Sequence, residues 1–217
     1  MASWFKKLLV FLPVCLLGLL YLYDHNAWFR QVNTKRLLIL VLAIALLYGW
    51  IIIEIISRKQ DNFFQIGIQS GFYVYVFMVL TLTGYFFLYS EISSADWWDK
   101  ILLRVENKDH VNFELFKIFR IYKLSDTQII GNFLMLLPLG IFLPLLYKRC
   151  TSFLSVVLIC FFISCCIEFL QLITSYRSTD IDDVMLNTMG AILGFILYYL
   201  FRTLGSYIRS GPPQAAL

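Results

Sequence analysis

Six long apolar runs, at about 5–23, 37–56, 64–89, 128–147, 153–173 and 184–202, decide what this chain can fold into. A membrane-crossing helix needs about 20 predominantly apolar residues to cover roughly 30 Å of hydrocarbon, and each run is near that length. Inside lipid an unpaired backbone N–H or C=O is too costly, so only helices and closed barrels span. None of the runs alternates in the two-residue pattern of barrel strands. The prediction is an all-α polytopic membrane bundle of about six transmembrane helices, with an interfacial amphipathic segment between the third and fourth.

Composition supports this reading. Of 217 residues, 60% are hydrophobic and 15% charged, against about 25% charged in an average soluble domain. A soluble protein of this size has too much surface for its volume to hide that apolar content. A disordered chain, a secreted disulfide scaffold and an ordinary cytosolic domain are excluded. The sequence shows no internal repeat, and its Gly-Pro-Pro-rich end is expected to be disordered.

Lys6 and Lys7 precede the first run, as in a signal peptide. No small-x-small cleavage site follows, only Tyr21, Leu22, Tyr23 and Asp24, so a retained signal anchor is expected. With the N-terminus in the cytoplasm, the cytoplasmic loops hold eight Lys and Arg and the short external loops four. The segment 90–127 holds six more, offset by seven acids, and long loops orient a membrane protein weakly. The expectation is a multi-pass cell-membrane protein with both termini cytoplasmic. That places segment 90–127 and loop 174–182 on the outer face. No Lys/Arg cluster points to nucleic acid. Cys15, Cys150, Cys160, Cys165 and Cys166 lack metal-site spacing and read as apolar packing.

Charged residues within membrane segments usually face the interior of the protein or a water cavity. Glu168 lies several residues short of the end of the fifth run, with Gln171 one turn further on. Arg177, Asp180, Asp182 and Asp183 then crowd into a short loop. Asn187, Gly190 and Gly194 follow at helical spacing from Asp183, so one face of the sixth run carries them all. Gly190 and Gly194 form a GxxxG, whose plain reading is close helix packing. A hairpin of the fifth and sixth runs would bring Glu168 and Gln171 near Asp183 and Asn187. Carboxylates and amides are hard oxygen ligands for Mg²⁺, Mn²⁺ or Ca²⁺. A carboxylate pair can also divide acid and base roles, and the planar fork of Arg177 suits a phosphate. The competing reading of the same set is a salt-bridged cap on a helix hairpin, with Asp180 or Asp182 as N-cap.

The fourth run opens with Gly131 and Asn132 and contains Pro138, Gly140 and Pro144. Pro138 cannot donate to the carbonyl of Leu134, so a kink is predicted. Asn132 falls near the outer end, either as site residue or as interhelical hydrogen-bonding glue. In segment 90–127, Ser93 and Asp96 resemble a capping box, and Trp97, Trp98, Ile101, Leu102 and Val105 recur at helical spacing. Glu114, Lys117, Arg120 and Lys123 fall every third residue among apolar ones, an amphipathic stretch suited to the headgroup zone or to packing on the other helices. In either place it could cover the polar cluster. His110 and His25 belong to no Ser-His-Asp order.

The stretch 111–200 resembles the VanZ-like family of bacterial membrane proteins. Glu168, Gln171, Arg177, Asp180, Asp183, Asn187, Gly190 and Gly194 match the family's Glu-x-x-Gln and Arg-x-x-Asp-x-x-Asp-x-x-x-Asn-x-x-Gly-x-x-x-Gly pattern. Asn132, Pro138 and Gly140 match its middle part. Asn112 and Phe116 fit its first motif, but Leu115 stands where the family has Pro. The organisation expected is a two-helix N-terminal region (1–62), the third transmembrane helix with the start of the external segment (63–110), a VanZ-like domain (111–203) and a cytoplasmic tail (204–217).

The resemblance implies a role in resistance to teicoplanin and lipoglycopeptide antibiotics. The leading expectation is a protein that processes or binds an anionic lipid-linked cell-envelope component at the outer leaflet, with membrane lipids, a cell-wall precursor or the antibiotic itself as partners. Glu168, Arg177, Asp180 and Asp183 are the candidate catalytic residues, and a divalent cation (Mg, Mn or Ca) is the candidate cofactor. Asn112, Asn132, Gln171 and Asn187 are the candidate binding residues. One alternative is a non-catalytic membrane interaction protein that limits antibiotic access. Another is an ion-coupled transporter using Glu168.

Overall fold

A computed structural model describes residues 63–85, 96–107, 110–174 and 178–210, together with residues 11, 12, 15, 49, 53 and 92. Apart from isolated residues, the first two predicted spans lie outside the described residues. Four described helices are long and apolar enough to cross a membrane, at Phe64–Leu82, Thr127–Leu146, Phe153–Ile173 and Ile181–Ser206. The protein is an all-α membrane protein. Its chain divides into two compact units, residues 1–111 with 169–178, and residues 112–168 with 179–217.

In the first unit, helix α1 spans Phe63–Leu82. It buries Ile66, Gln69, Ser70, Tyr73 and Phe77, which recur at the three- and four-residue spacing of one helix face. Gly84, at φ 76°, takes the left-handed conformation just beyond its end, where glycine carries no Cβ penalty. Residues 86–89 of the predicted third span lie outside the described residues. Helix α2, Trp97–Asn107, turns Ile101 inward and leaves Trp98, Leu102, Leu103 and Val105 exposed. Ser93 lies outside the described residues. Arg104 donates from one guanidinium nitrogen to the carbonyls of Leu172 (2.6 Å) and Thr174 (2.9 Å). A cation there satisfies acceptors left free at a helix C-terminus and opposes the negative end of its dipole.

The second unit opens with β1, Val111–Asn112, of which Asn112 is its first residue, followed by the one-turn helix α3, Ile118–Ile121. The predicted amphipathic stretch 113–123 is therefore a strap with one helical turn. Phe116 has φ 66°, and a carboxylate distant in sequence takes the backbone amides of Phe116 and Ile118. Of its apolar residues, Phe113, Leu115, Phe116, Phe119 and Ile121 are exposed, while Ile118 is buried against Ile129 and Leu186.

Asp126 caps helix α4, Thr127–Met135, by accepting from Gln128 N at 3.1 Å. The helix breaks at Leu136 (φ −100°, ψ 2°), and α5 continues over Leu137–Leu146. This is the kink predicted from Pro138, which sits in the first turn of α5, where a missing N–H breaks no bond. After a 3₁₀ turn at Lys148–Cys150, α6 covers Phe153–Ile173, its last five residues belonging to the first unit. The two-residue strand β2, Thr179–Asp180, pairs with β1 and leads into α7, Ile181–Ser210. That helix starts three residues before the predicted 184 and runs into the segment expected to be tail.

Helix α7 lies against α4 and α5 at backbone contact. A Cβ at Gly190 would overlap the Phe133 carbonyl, one at Gly194 the Leu137 carbonyl, and one at Gly140 the Ala191 carbonyl. Only glycine permits this approach, so the GxxxG is packing, as its plain reading held.

Candidate functional site

The polar residues gather where α4, α6 and α7 begin or end in the second unit. Asp182 and Asp183 are not loop residues: they lie in the first turn of α7, because Asp180 ends the strand and caps the helix. Its Oδ1 accepts from Asp182 N at 2.9 Å, an N-cap bond to the second helical residue. The same oxygen accepts from Asn112 Nδ2 at 2.9 Å. Asn112 also closes its own turn, accepting from Glu114 N at 3.2 Å.

Glu168 is 5% exposed. Its Oε2 accepts from Asp180 N at 3.0 Å, and its carbonyl accepts from Thr179 Oγ1 at 3.3 Å. The glutamate thus fastens the strand ahead of α7 to α6. Asp182 is wholly buried and binds the strap with both oxygens, accepting from Phe116 N at 2.6 Å and Ile118 N at 2.8 Å. Burial raises the Asp180 carboxyl above the ordinary carboxylate range, and the Asp182 charge adds to this. The Asp182 amide, the Asn112 side chain and the Lys117 ammonium pull the other way.

Asp183 is half-buried, and Asn132 of α4 hydrogen-bonds its carboxylate. The Asp180 and Asp182 carboxylates are close enough to act on it electrostatically. One turn along α7, Asn187 is 0% exposed. Its Nδ2 donates to Ser164 Oγ at 2.9 Å, while its Oδ1 is buried without a hydrogen-bond partner.

The second unit thus joins Glu168, Asp180 and Asn112 through hydrogen bonds and pairs Asp183 with Asn132. Asn187 bonds to Ser164 rather than to an acid. Gln171 belongs to the first unit, where it is buried and its carbonyl accepts from the Thr174 N–H and hydroxyl. Arg177 lies outside the described residues. Sequence reading missed Ser164, Thr179 and the electrostatic role of Lys117. Ser164 carried a usable signal, since it stands four residues before Glu168 and shares its helix face. Lys117 was legible only as one charge of the amphipathic stretch, because nothing in local spacing links it to Asp180, 63 residues away.

Among the described residues, no three His, Cys, Asp or Glu side chains gather to hold a metal ion. Asp182 gives both its oxygens to the strap, and Asp180 and Glu168 each give one to bonds that fasten α7.

A sequence model of the family described as VanZ/LLP1 matches residues 72–202, more than half of the chain. The chain belongs to the VanZ/LLP1 family. The match starts within α1, well before the 111 expected from motifs, so the family unit includes most of α1 and all of α2. No curated protein and no solved structure matches the chain.

Proposed function

We propose that this VanZ/LLP1-family membrane protein binds, and in its enzymatic form processes, an anionic lipid-linked cell-envelope component at the outer leaflet. A contribution to teicoplanin or lipoglycopeptide resistance would follow. The observation that carries the reading is the Asp183–Asn132 pair at the ends of two membrane-length helices, beside Asp180 and the Lys117 ammonium. A carboxylate held by one amide, at the level where lipid head groups begin, is suited to acid/base or polar contact with a head group. Lys117 supplies positive charge for a phosphate, and Arg177, which lies outside the described residues, is a further candidate for that role. Glu168 acts by fastening β2, so Asp183 is the better acid/base candidate. Asn132 orients it, and Asn187 is a candidate head-group contact.

The test is protection of a teicoplanin-sensitive bacterial host by the full chain. Asp183→Asn should insert at the normal level and give no more protection than empty vector. Undiminished protection by that variant removes Asp183 from the function.

A second reading is favoured by the scaffold duties of Asp180, Asp182 and Glu168. In it the protein is a non-catalytic interaction protein that limits antibiotic access. Protection would then follow protein abundance and tolerate Asp183→Asn.

A further inference from the structure

The strap between β1 and α4 leaves a cluster of apolar side chains uncovered. Phe113 and Ile121 are each 61% exposed, and Leu115, Phe116 and Phe119 are exposed between them. Such a contiguous apolar patch marks a contact with protein or membrane. The fold fixes where the patch stands. Gly190 meets Phe133 and Gly194 meets Leu137, so α4 and α7 run in the same direction and begin at one face. The strap leads into Thr127, where the first of these membrane-length helices opens. Asp182, one residue inside the second, holds the strap by the amides of Phe116 and Ile118. The strap therefore lies at the edge of the hydrocarbon, across the starts of two spans.

A second observation selects the membrane. Irregular backbone beside lipid needs its polar groups paired within the protein. The amides of Phe116 and Ile118 donate to Asp182, and that of Glu114 to Asn112 Oδ1. Those of Arg120 and Ile121 donate to the Lys117 carbonyl, and that of Tyr122 to the Ile118 carbonyl. The strap thus turns apolar side chains outward while its own fold takes up these backbone donors. Charge selects the kind of membrane. Lys117, Arg120 and Lys123 face a single acid, Glu114, over residues 113–124, and Arg120 and Lys123 are exposed. Their long stems can lie along an apolar bed with the charged ends at phosphate level. Excess positive charge beside apolar residues favours an anionic lipid surface.

We propose that the strap is a membrane-docking surface and that its occupant is an anionic phospholipid leaflet. Phe113, Leu115, Phe116, Phe119 and Ile121 enter the zone between head groups and acyl chains. Arg120 and Lys123 meet the lipid phosphates. This inference stands apart from the reading of Asp183: bulk lipid seats the strap, and no bound substrate is needed.

The test uses the full chain reconstituted in vesicles of phosphatidylglycerol and phosphatidylcholine in equal amounts. Phe113→Trp and Ile121→Trp each add one indole to the strap, read as the difference from the fluorescence of the natural protein. Two positions are used so that a folding defect in one variant does not decide the result. One lipid at a time carries bromine on its acyl chains near the head group. Brominated phosphatidylglycerol should quench the added emission at least about twofold more than brominated phosphatidylcholine. Arg120→Gln together with Lys123→Gln should erase that preference while quenching by both lipids persists. Quenching by aqueous acrylamide as strong as for free tryptophan amide, with none by either brominated lipid, puts the strap in water and overturns the proposal. Silence toward acrylamide and both brominated lipids puts the strap beneath another protein surface and overturns it as well. Equal quenching by the two brominated lipids overturns the choice of an anionic leaflet.

Discussion

The Asp182 carboxylate accepts the Phe116 amide at 2.6 Å and, with its other oxygen, the Ile118 amide at 2.8 Å. One wholly buried side chain in the first turn of α7 thereby holds a strap 64 to 66 residues away in sequence. The strap carries Lys117 between those two amides and so sets where that cation stands relative to Asp180.

Asp182→Asn offers one acceptor oxygen where two are needed. Hydrogen bonds to a charged group contribute about 1.5–3 kcal/mol each, so the variant should lose about that much stability. Hydrogen exchange is the check, with protection falling at Phe116 or Ile118. Unchanged exchange at both amides would show that the strap is held by other means.

Glycine replacement should separate packing from propensity. Gly190→Ala places a methyl group against the Phe133 carbonyl, and overpacking of this kind costs about 1–3 kcal/mol. Gly131→Ala meets nothing within 4 Å and should stabilise α4 by up to about 1 kcal/mol. Detergent melting temperatures should therefore move in opposite directions for the two variants.

Arg104→Ala removes donors from the carbonyls of Leu172 and Thr174. Each acceptor left unpaired costs about 1–3 kcal/mol where water does not reach it. The end of α6 should fray, with faster exchange or protease cleavage near residue 174. Arg104→Lys should recover part of the loss, since an ammonium donates but lacks the planar fork.

The Asp180 carboxyl is raised chiefly by burial, so the folded state binds its proton more readily than the unfolded chain. Its stabilising contribution is complete below the unfolded value, 3.8, and is lost as pH rises through the folded one. Asp180→Asn keeps a capping oxygen and does not titrate. The stability of the natural protein relative to this variant should be greatest in acid and fall as pH rises above about 4. A difference that stays flat or grows with pH would contradict the assignment to burial.

The apolar runs by themselves determined that this is a helical membrane protein, because their length and composition leave the backbone no other way to satisfy its hydrogen bonds in lipid. They also determined the break near Pro138 and the close approach at Gly190 and Gly194, where proline lacks an N–H and glycine lacks a Cβ. Spacing put Asp183 and Asn187 on one helix face. Only the tertiary structure decided the duties of the acids. Asp180, Asp182 and Asp183 look alike in sequence, yet one caps α7, one clamps a strap and one pairs with Asn132 of another helix. Those duties depend on which distant backbone amides and side chains reach each carboxylate, and that follows from packing between elements rather than from local periodicity.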